Sequence, residues 1–198
     1  MEPDFNLDWH QQGLWQYMLL ANPSKEVDEK ARLEKTYFEN EYGAKIATRT
    51  LPHITIANFL AKERMEALVC RWTQNACNQQ YRFTVTLNNF SGFPAHAIFI
   101  RVQNPAPFRQ LADNLKAIDR LLDTNDCPRL QLVTKPHLSI ARRLEKEVYE
   151  KAIIEYAQRS FSETYILDKL TLLKRNSRYK KWQHVTHFYL PAERNLFN

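Results

Sequence analysis

The chain has 198 residues, 44% of them hydrophobic and 25% charged, long enough for one large domain or two lobes around a shared apolar core. Its net charge of +6 favours an anionic partner, nucleic acid first and a membrane surface second. Three glycines and no G-x-G-x-x-G or Walker-type string argue against a glycine-rich phosphate loop.

Residues 14–22, an apolar run without helix caps, predict a buried strand. Pro23 and Ser24 then open a helix, with Ser24 as N-cap, Val27, Ala31, Tyr37 and Phe38 inside, and Gly43 as the stop. A strand at "LPHITIANF" follows. Met65, Leu68, Val69, Trp72 and Ala76 then share one face of a second helix. Phe83, Val85 and Leu87 alternate inward on a long strand, and "SGFPAH" turns it into the strand "AIFIRV". After Pro105 and Pro107, a third helix carries the stripe Phe108, Leu111, Leu115, Ile118 and Leu122. A strand at "KPHLSIARR" leads to a fourth helix around Val148, Ala152, Ile153 and Tyr156. "TYILDKLTLLKR" and "WQHVTHFYL" close the chain as a hairpin. The order is β-α-β-α-β-β, then α-β-α-β-β, with no linker between the halves. That predicts an α+β fold: one domain over 1–198, duplicated into two lobes with two mostly antiparallel sheets and flanking helices.

Cys70, Cys77 and Cys127 are odd in number and show no C-x-x-C. On a helix, Cys70 and Cys77 lie roughly 10 Å apart along the axis, beyond disulfide reach. They read as reduced packing residues of a cytoplasmic chain. No apolar run reaches membrane-spanning length, and the acidic start "MEPDFNLDWHQQG" is unlike a signal peptide.

One short word occurs twice, 84 residues apart: Pro52-His53-Ile54-Thr55-Ile56 and Pro136-His137-Leu138-Ser139-Ile140. On a strand, His53 and Thr55 share one face and Ile54 and Ile56 the other. The second word repeats this with His137 and Ser139. A lone histidine on a strand is usually structural. Average residue usage gives the five-position pattern a chance frequency on the order of 10⁻⁵ per position, so two copies in matching slots point to function. Two imidazoles facing one cleft supply a base and an acid near neutrality, and the hydroxyls can donate to an oxyanion. With no carboxylate cluster and no metal-ligand spacing, phosphodiester chemistry fits best.

The paired words resemble the H-x-[ST]-x signatures of the 2H phosphoesterase superfamily, the 2′-5′ RNA ligase-like cyclic phosphodiesterases. "GFPAHAIFIRV" is also similar to that family's stretch after the long strand of the first lobe. The resemblance implies a metal-free bilobal fold without cofactor, both words facing a central groove. It implies hydrolysis of 2′,3′-cyclic phosphates on RNA ends or nucleotides, with no membrane and no obligatory protein partner. Matching residues carry over as His53 with Thr55 and His137 with Ser139. Arg142 stands five residues after His137, where relatives often keep an arginine near the phosphate. Strict alternation would turn Arg142 away and favour Arg143. Many relatives have an aromatic five residues after the first histidine; here Asn58 stands there and Phe59, which follows, is the candidate for stacking a base. The same chemistry run backwards is RNA 2′-5′ ligation, and a binding module for RNA ends is the non-catalytic alternative.

Residues 174–182, "KRNSRYKKW", form a basic turn in which Arg178 and Lys180 could reach phosphates and Tyr179 could stack a base. A solvated hairpin tip is the plain alternative. His184-Val185-Thr186 is a near-copy of the word without its proline, outside the duplicated slot. His10 and His96 have no partner pattern and read as surface residues. Asp119, Asp123 and Asp126 suggest an acidic helix end without metal-ligand spacing.

Overall fold

The computed structural model describes residues 9–45 and 47–193; the acidic stretch 1–8 lies outside them. A 3-10 turn, Trp9–Gln12, leads into β1, Leu14–Ala21, which is buried along nearly its whole length. It pairs β2 (Ile54–Lys62) on one edge and β8 (Lys169–Arg175) on the other, so an unbroken apolar run suits it. Helix α1, Lys25–Tyr42, starts where Ser24 Oγ accepts from the Val27 N–H at 3.4 Å. It ends at Gly43, whose φ of 66° lets its N–H donate to the Glu39 carbonyl. Val27, Ala31 and Phe38 face inward as expected, and so does Lys35.

Helix α2 spans Glu66–Cys77, β3 Phe83–Phe93 and β4 Ala97–Val102. Helix α3, Ala106–Asp123, starts behind Pro105 and buries all five residues of its predicted stripe. Short β5 (Gln131–Leu132) precedes β6 (His137–Arg142), α4 (Lys146–Tyr156), β7 (Ser162–Leu167) and β9 (Gln183–Tyr189).

Two elements differ from expectation. The buried face of α2 is Val69, Thr73, Ala76 and Cys77, while Leu68 and Trp72 are exposed. Thr73 is tolerated inside because its hydroxyl donates to the Val69 carbonyl at 2.8 Å. The run "TYILDKLTLLKR" is broken at Asp168 into β7, which pairs β3, and β8, which pairs β1. Only β8 and β9 form the closing hairpin. All three cysteines are free thiols.

The strands form one hydrogen-bonded path, β7-β3-β4-β6-β2-β1-β8-β9, with β5 added to β2 and every pairing antiparallel. The two expected sheets are thus two runs of one path. They meet where the word strands β2 and β6 touch, at Ile54↔Leu138. No helix among the described residues is long and apolar enough to cross a membrane.

Candidate active site

Each word is built the same way. Pro52 and Pro136 are buried, and a proline biases the residue before it away from the helical region. The carbonyl of that residue meets the ring two positions on: Leu51 O lies 2.7 Å from His53 Nδ1, and Lys135 O lies 2.7 Å from His137 Nδ1. A carbonyl oxygen only accepts, so both Nδ1 atoms carry their proton. Proton exchange with a bound molecule therefore falls to Nε2 in both rings.

Each word also carries a β-bulge in the same slot. On β2, Thr55 pairs Leu20 and Ala57 pairs Leu19, leaving Ile56 as the extra residue. On β6, Ser139 pairs Phe99 and Ala141 pairs Ile98, leaving Ile140 extra. The bulge shifts the alternation by one. Ile56 and Ala57 are both buried, as are Ile140 and Ala141. The next side chains, Asn58 and Arg142, line the cleft. The freed carbonyls are capped differently: Ile56 O accepts from the Val133 N–H at 2.9 Å, and Ile140 O from Lys35 Nζ at 3.2 Å. Lys35 also donates to Ala47 O at 2.8 Å. Burial, then the charges of Arg142 and Arg32, bring its ammonium down to about 8.

One cleft thus gathers His53, Thr55 and Asn58 from β2 with His137, Ser139 and Arg142 from β6. His96 and Phe93, from the turn joining β3 to β4, complete it. His96 is a correction: it is half-buried at the cleft rather than a surface residue. Burial lowers its pKa, helped by Arg142 and Arg143. His137 packs against Phe93 at 5.1 Å and Phe99 at 4.8 Å between ring centroids. Burial holds its pKa below the ordinary histidine value, although the bond to Lys135 O opposes this.

Other expected residues lie elsewhere. Phe59 is 1% exposed and stacked on Tyr17 at 5.2 Å, so it belongs to the core; the bulge at Ile56 turns it there. Arg143 is exposed at φ 57° and does not line the cleft; Arg142 does, because the bulge reverses strict alternation. Arg178, Tyr179 and Lys180 stand exposed on the β8–β9 loop. Lys174 instead pairs with Glu66 at 2.7 Å and lies over Trp15, while Arg175 donates to Gln16 and lies over Trp182. His184 and His187 touch at a tilt, 4.5 Å between ring centroids, on β9 at the end of the sheet path, so the near-copy word does not join the cleft. Asp119 accepts from the Leu130 N–H at 2.7 Å. Among the described residues, no group of three or more His, Cys, Asp or Glu side chains could hold a metal ion.

The sequence profile of the 2′-5′ RNA ligase superfamily matches residues 23–178, which include both words. The chain belongs to the 2′-5′ RNA ligase superfamily. Solved structures share the fold of this superfamily member at low identity. LigT of E. coli, complexed with 3′-AMP, is 14% identical, with 89% of this chain and 98% of LigT covered at a TM-score of 0.59. TT0787 of Thermus thermophilus is 17% identical, with coverages of 90% and 99% and a TM-score of 0.63. A third structure, of a phosphoesterase, is 15% identical, with coverages of 89% and 98% and a TM-score of 0.59. No curated protein matches the chain by sequence.

Proposed function

We propose that this 2′-5′ RNA ligase superfamily member is a cytoplasmic, metal-independent cyclic phosphodiesterase. It opens 2′,3′-cyclic phosphates on RNA ends or nucleotides, with His53 and His137 as acid and base. The observation that carries this reading is the duplicated geometry: two imidazoles, each tied through Nδ1 to a backbone carbonyl, beside two hydroxyls on one cleft. Burial favours the neutral ring at His137, which suits the base. His137 Nε2 takes a proton from water as the water oxygen bonds to phosphorus. The ring P–O bond breaks, and His53 Nε2 gives its proton to the departing ribose oxygen. The product is a phosphomonoester beside a free hydroxyl. Thr55 and Ser139 donate to the non-bridging oxygens, where negative charge builds, and Arg142 offsets that charge. On this reading the chain is one domain of two lobes, each supplying one word, and needs no cofactor or protein partner. With the 5′-hydroxyl of a second RNA end attacking in place of water, the same residues open the ring at the 3′ oxygen and leave a 2′-5′ phosphodiester, which is ligation.

Turnover of a 2′,3′-cyclic mononucleotide with a metal chelator present is the test. The intact protein should be active at an unchanged rate. His53→Ala and His137→Ala should each lose about 10²–10⁴-fold while keeping the melting temperature. Near-wild-type turnover in either variant sinks the two-histidine mechanism. Loss in chelator, restored by one divalent ion, overturns metal independence. Binding of RNA ends without turnover leaves a non-catalytic module.

A further inference from the structure

Asn58 is a buried polar side chain, 4% exposed, whose Oδ1 has no hydrogen-bond partner. Buried polar atoms are nearly always paired, so an exception in a cleft points to a missing ligand. Asn58 sits at the seam of two cavities. One is the central cleft with both words. The other is a side pocket between Phe93, His137 and residues 131–135. An amide oxygen accepts hydrogen bonds and does not donate them. Non-bridging phosphate oxygens also only accept, so Oδ1 cannot be their partner. The donors suited to phosphate, Thr55, Ser139 and Arg142, already line the central cleft. Asn58 Oδ1 therefore needs a donor from the rest of the ligand.

In a 2′,3′-cyclic nucleotide both the 2′ and 3′ oxygens are esterified and carry no proton. The donors left are the N–H groups of the base and the 5′-hydroxyl, and the latter is itself esterified within an RNA strand. The side pocket offers a planar wall: the Phe93 ring stands edge-on to His137 at an interplanar angle of 82°. Base rings stack on such faces without regard to sequence, whereas an amide at the pocket floor reads an edge. We propose that the side pocket holds the nucleobase next to the reacting phosphate, with Asn58 Oδ1 accepting from a base N–H and so setting preference among bases. This rests on the cyclic phosphodiesterase reading for the phosphate position.

The test uses Asn58→Leu, which keeps the branched outline and removes the amide, with the smaller Asn58→Ala as a second variant should the first not fold. The substrates are the four nucleoside 2′,3′-cyclic phosphates and a base-free methyl riboside 2′,3′-cyclic phosphate, which keeps its 5′-hydroxyl. Loss of one neutral hydrogen bond should lower kcat/KM for the preferred base by about 10-fold and flatten the differences between bases. The base-free compound should be unaffected. Equal loss on both kinds of substrate would mean that Asn58 serves the phosphate or the sugar, and the inference falls. It falls equally if nothing changes. Binding of nucleoside 3′-monophosphates, compared with ribose 3-phosphate, gives a readout without catalysis. If no cyclic phosphate is turned over but base-dependent binding still needs Asn58, the phosphodiesterase reading fails and the base site stands.

Discussion

His53 and His137 sit in matching words, and His137 packs against the rings of both Phe93 and Phe99. A desolvated imidazole resists protonation, so the acid limb of kcat/KM should fall below the ordinary histidine pKa of about 6.5. Phe99→Ala lets water reach the ring and should move that limb up towards 6.5. A limb that stays put or moves down would remove His137 as the base. The same depressed value leaves the folded state with fewer bound protons than the unfolded chain just below pH 6.5. The His137 contribution to stability is therefore lost as pH falls through that region. Both histidines and both hydroxyls were legible in the sequence, because a word repeated in matching slots is visible without coordinates. Phe59 was placed wrongly, and strict alternation turned Arg142 away although the resemblance kept it near the phosphate, because alternation counts by two and each word strand carries one extra residue. The signal was present. Ile56-Ala57 and Ile140-Ala141 put two apolar residues in succession after each hydroxyl, which a strand with one wet face does not do unless it bulges. His96 and Phe93 had no such signal; the turn between β3 and β4 brings them in.

At the scale of elements, the bulge of β6 depends on another element, α1, through Lys35. The residue is 3% exposed and its ammonium joins Ile140 O to Ala47 O, so one side chain holds both the strand that carries Arg142 and the approach to the first word. The helical pattern of α1 gave no reason to bury a lysine; the acceptors that make it tolerable come from 12 and 105 residues away in sequence. Such acceptors are invisible to a local reading. The cost of the buried charge can be measured. With a folded pKa of about 8 against an unfolded value of about 10.4, the unfolded chain binds more protons between these limits. Wild-type stability should therefore rise relative to Lys35→Met as pH climbs from 8 to 10, by up to roughly 3 kcal/mol. Below pH 8 the difference should be flat. Denaturant unfolding of both proteins across this range is the measurement, and a constant gap would mean that Lys35 keeps its charge throughout. α3 shows the opposite case: its stripe was read residue for residue, since a strongly amphipathic helix needs only one apolar surface to lie on.

For the whole molecule, the order of elements was readable but their closure was not. β7 and β8 are neighbours in sequence and stand in opposite halves of the strand path, because non-local pairing decides where a strand goes. That closure brings the β8–β9 loop back to β1. Arg175 pairs there with Gln16, two residues from the cleft-lining Met18 and so on the same face of the strand. The basic loop thus begins about 7 Å along the strand from the cleft wall. Of its five positive charges, Lys174 and Arg175 are engaged by Glu66 and Gln16, whereas Arg178, Lys180 and Lys181 stand exposed. A strand of RNA held at the cleft would meet these three. Each phosphate neutralised on a single strand releases counterions, worth a slope of about −0.7 in log affinity against log salt. Replacing Arg178, Lys180 and Lys181 with Gln should therefore flatten the salt dependence of oligonucleotide binding by about 2. Hydrolysis of a cyclic mononucleotide should hardly change, since a mononucleotide has no backbone for the loop to follow. Equal loss of both activities would place the loop in the catalytic centre. Loss of neither would leave it a solvated hairpin tip and put small cyclic nucleotides ahead of RNA as the substrate.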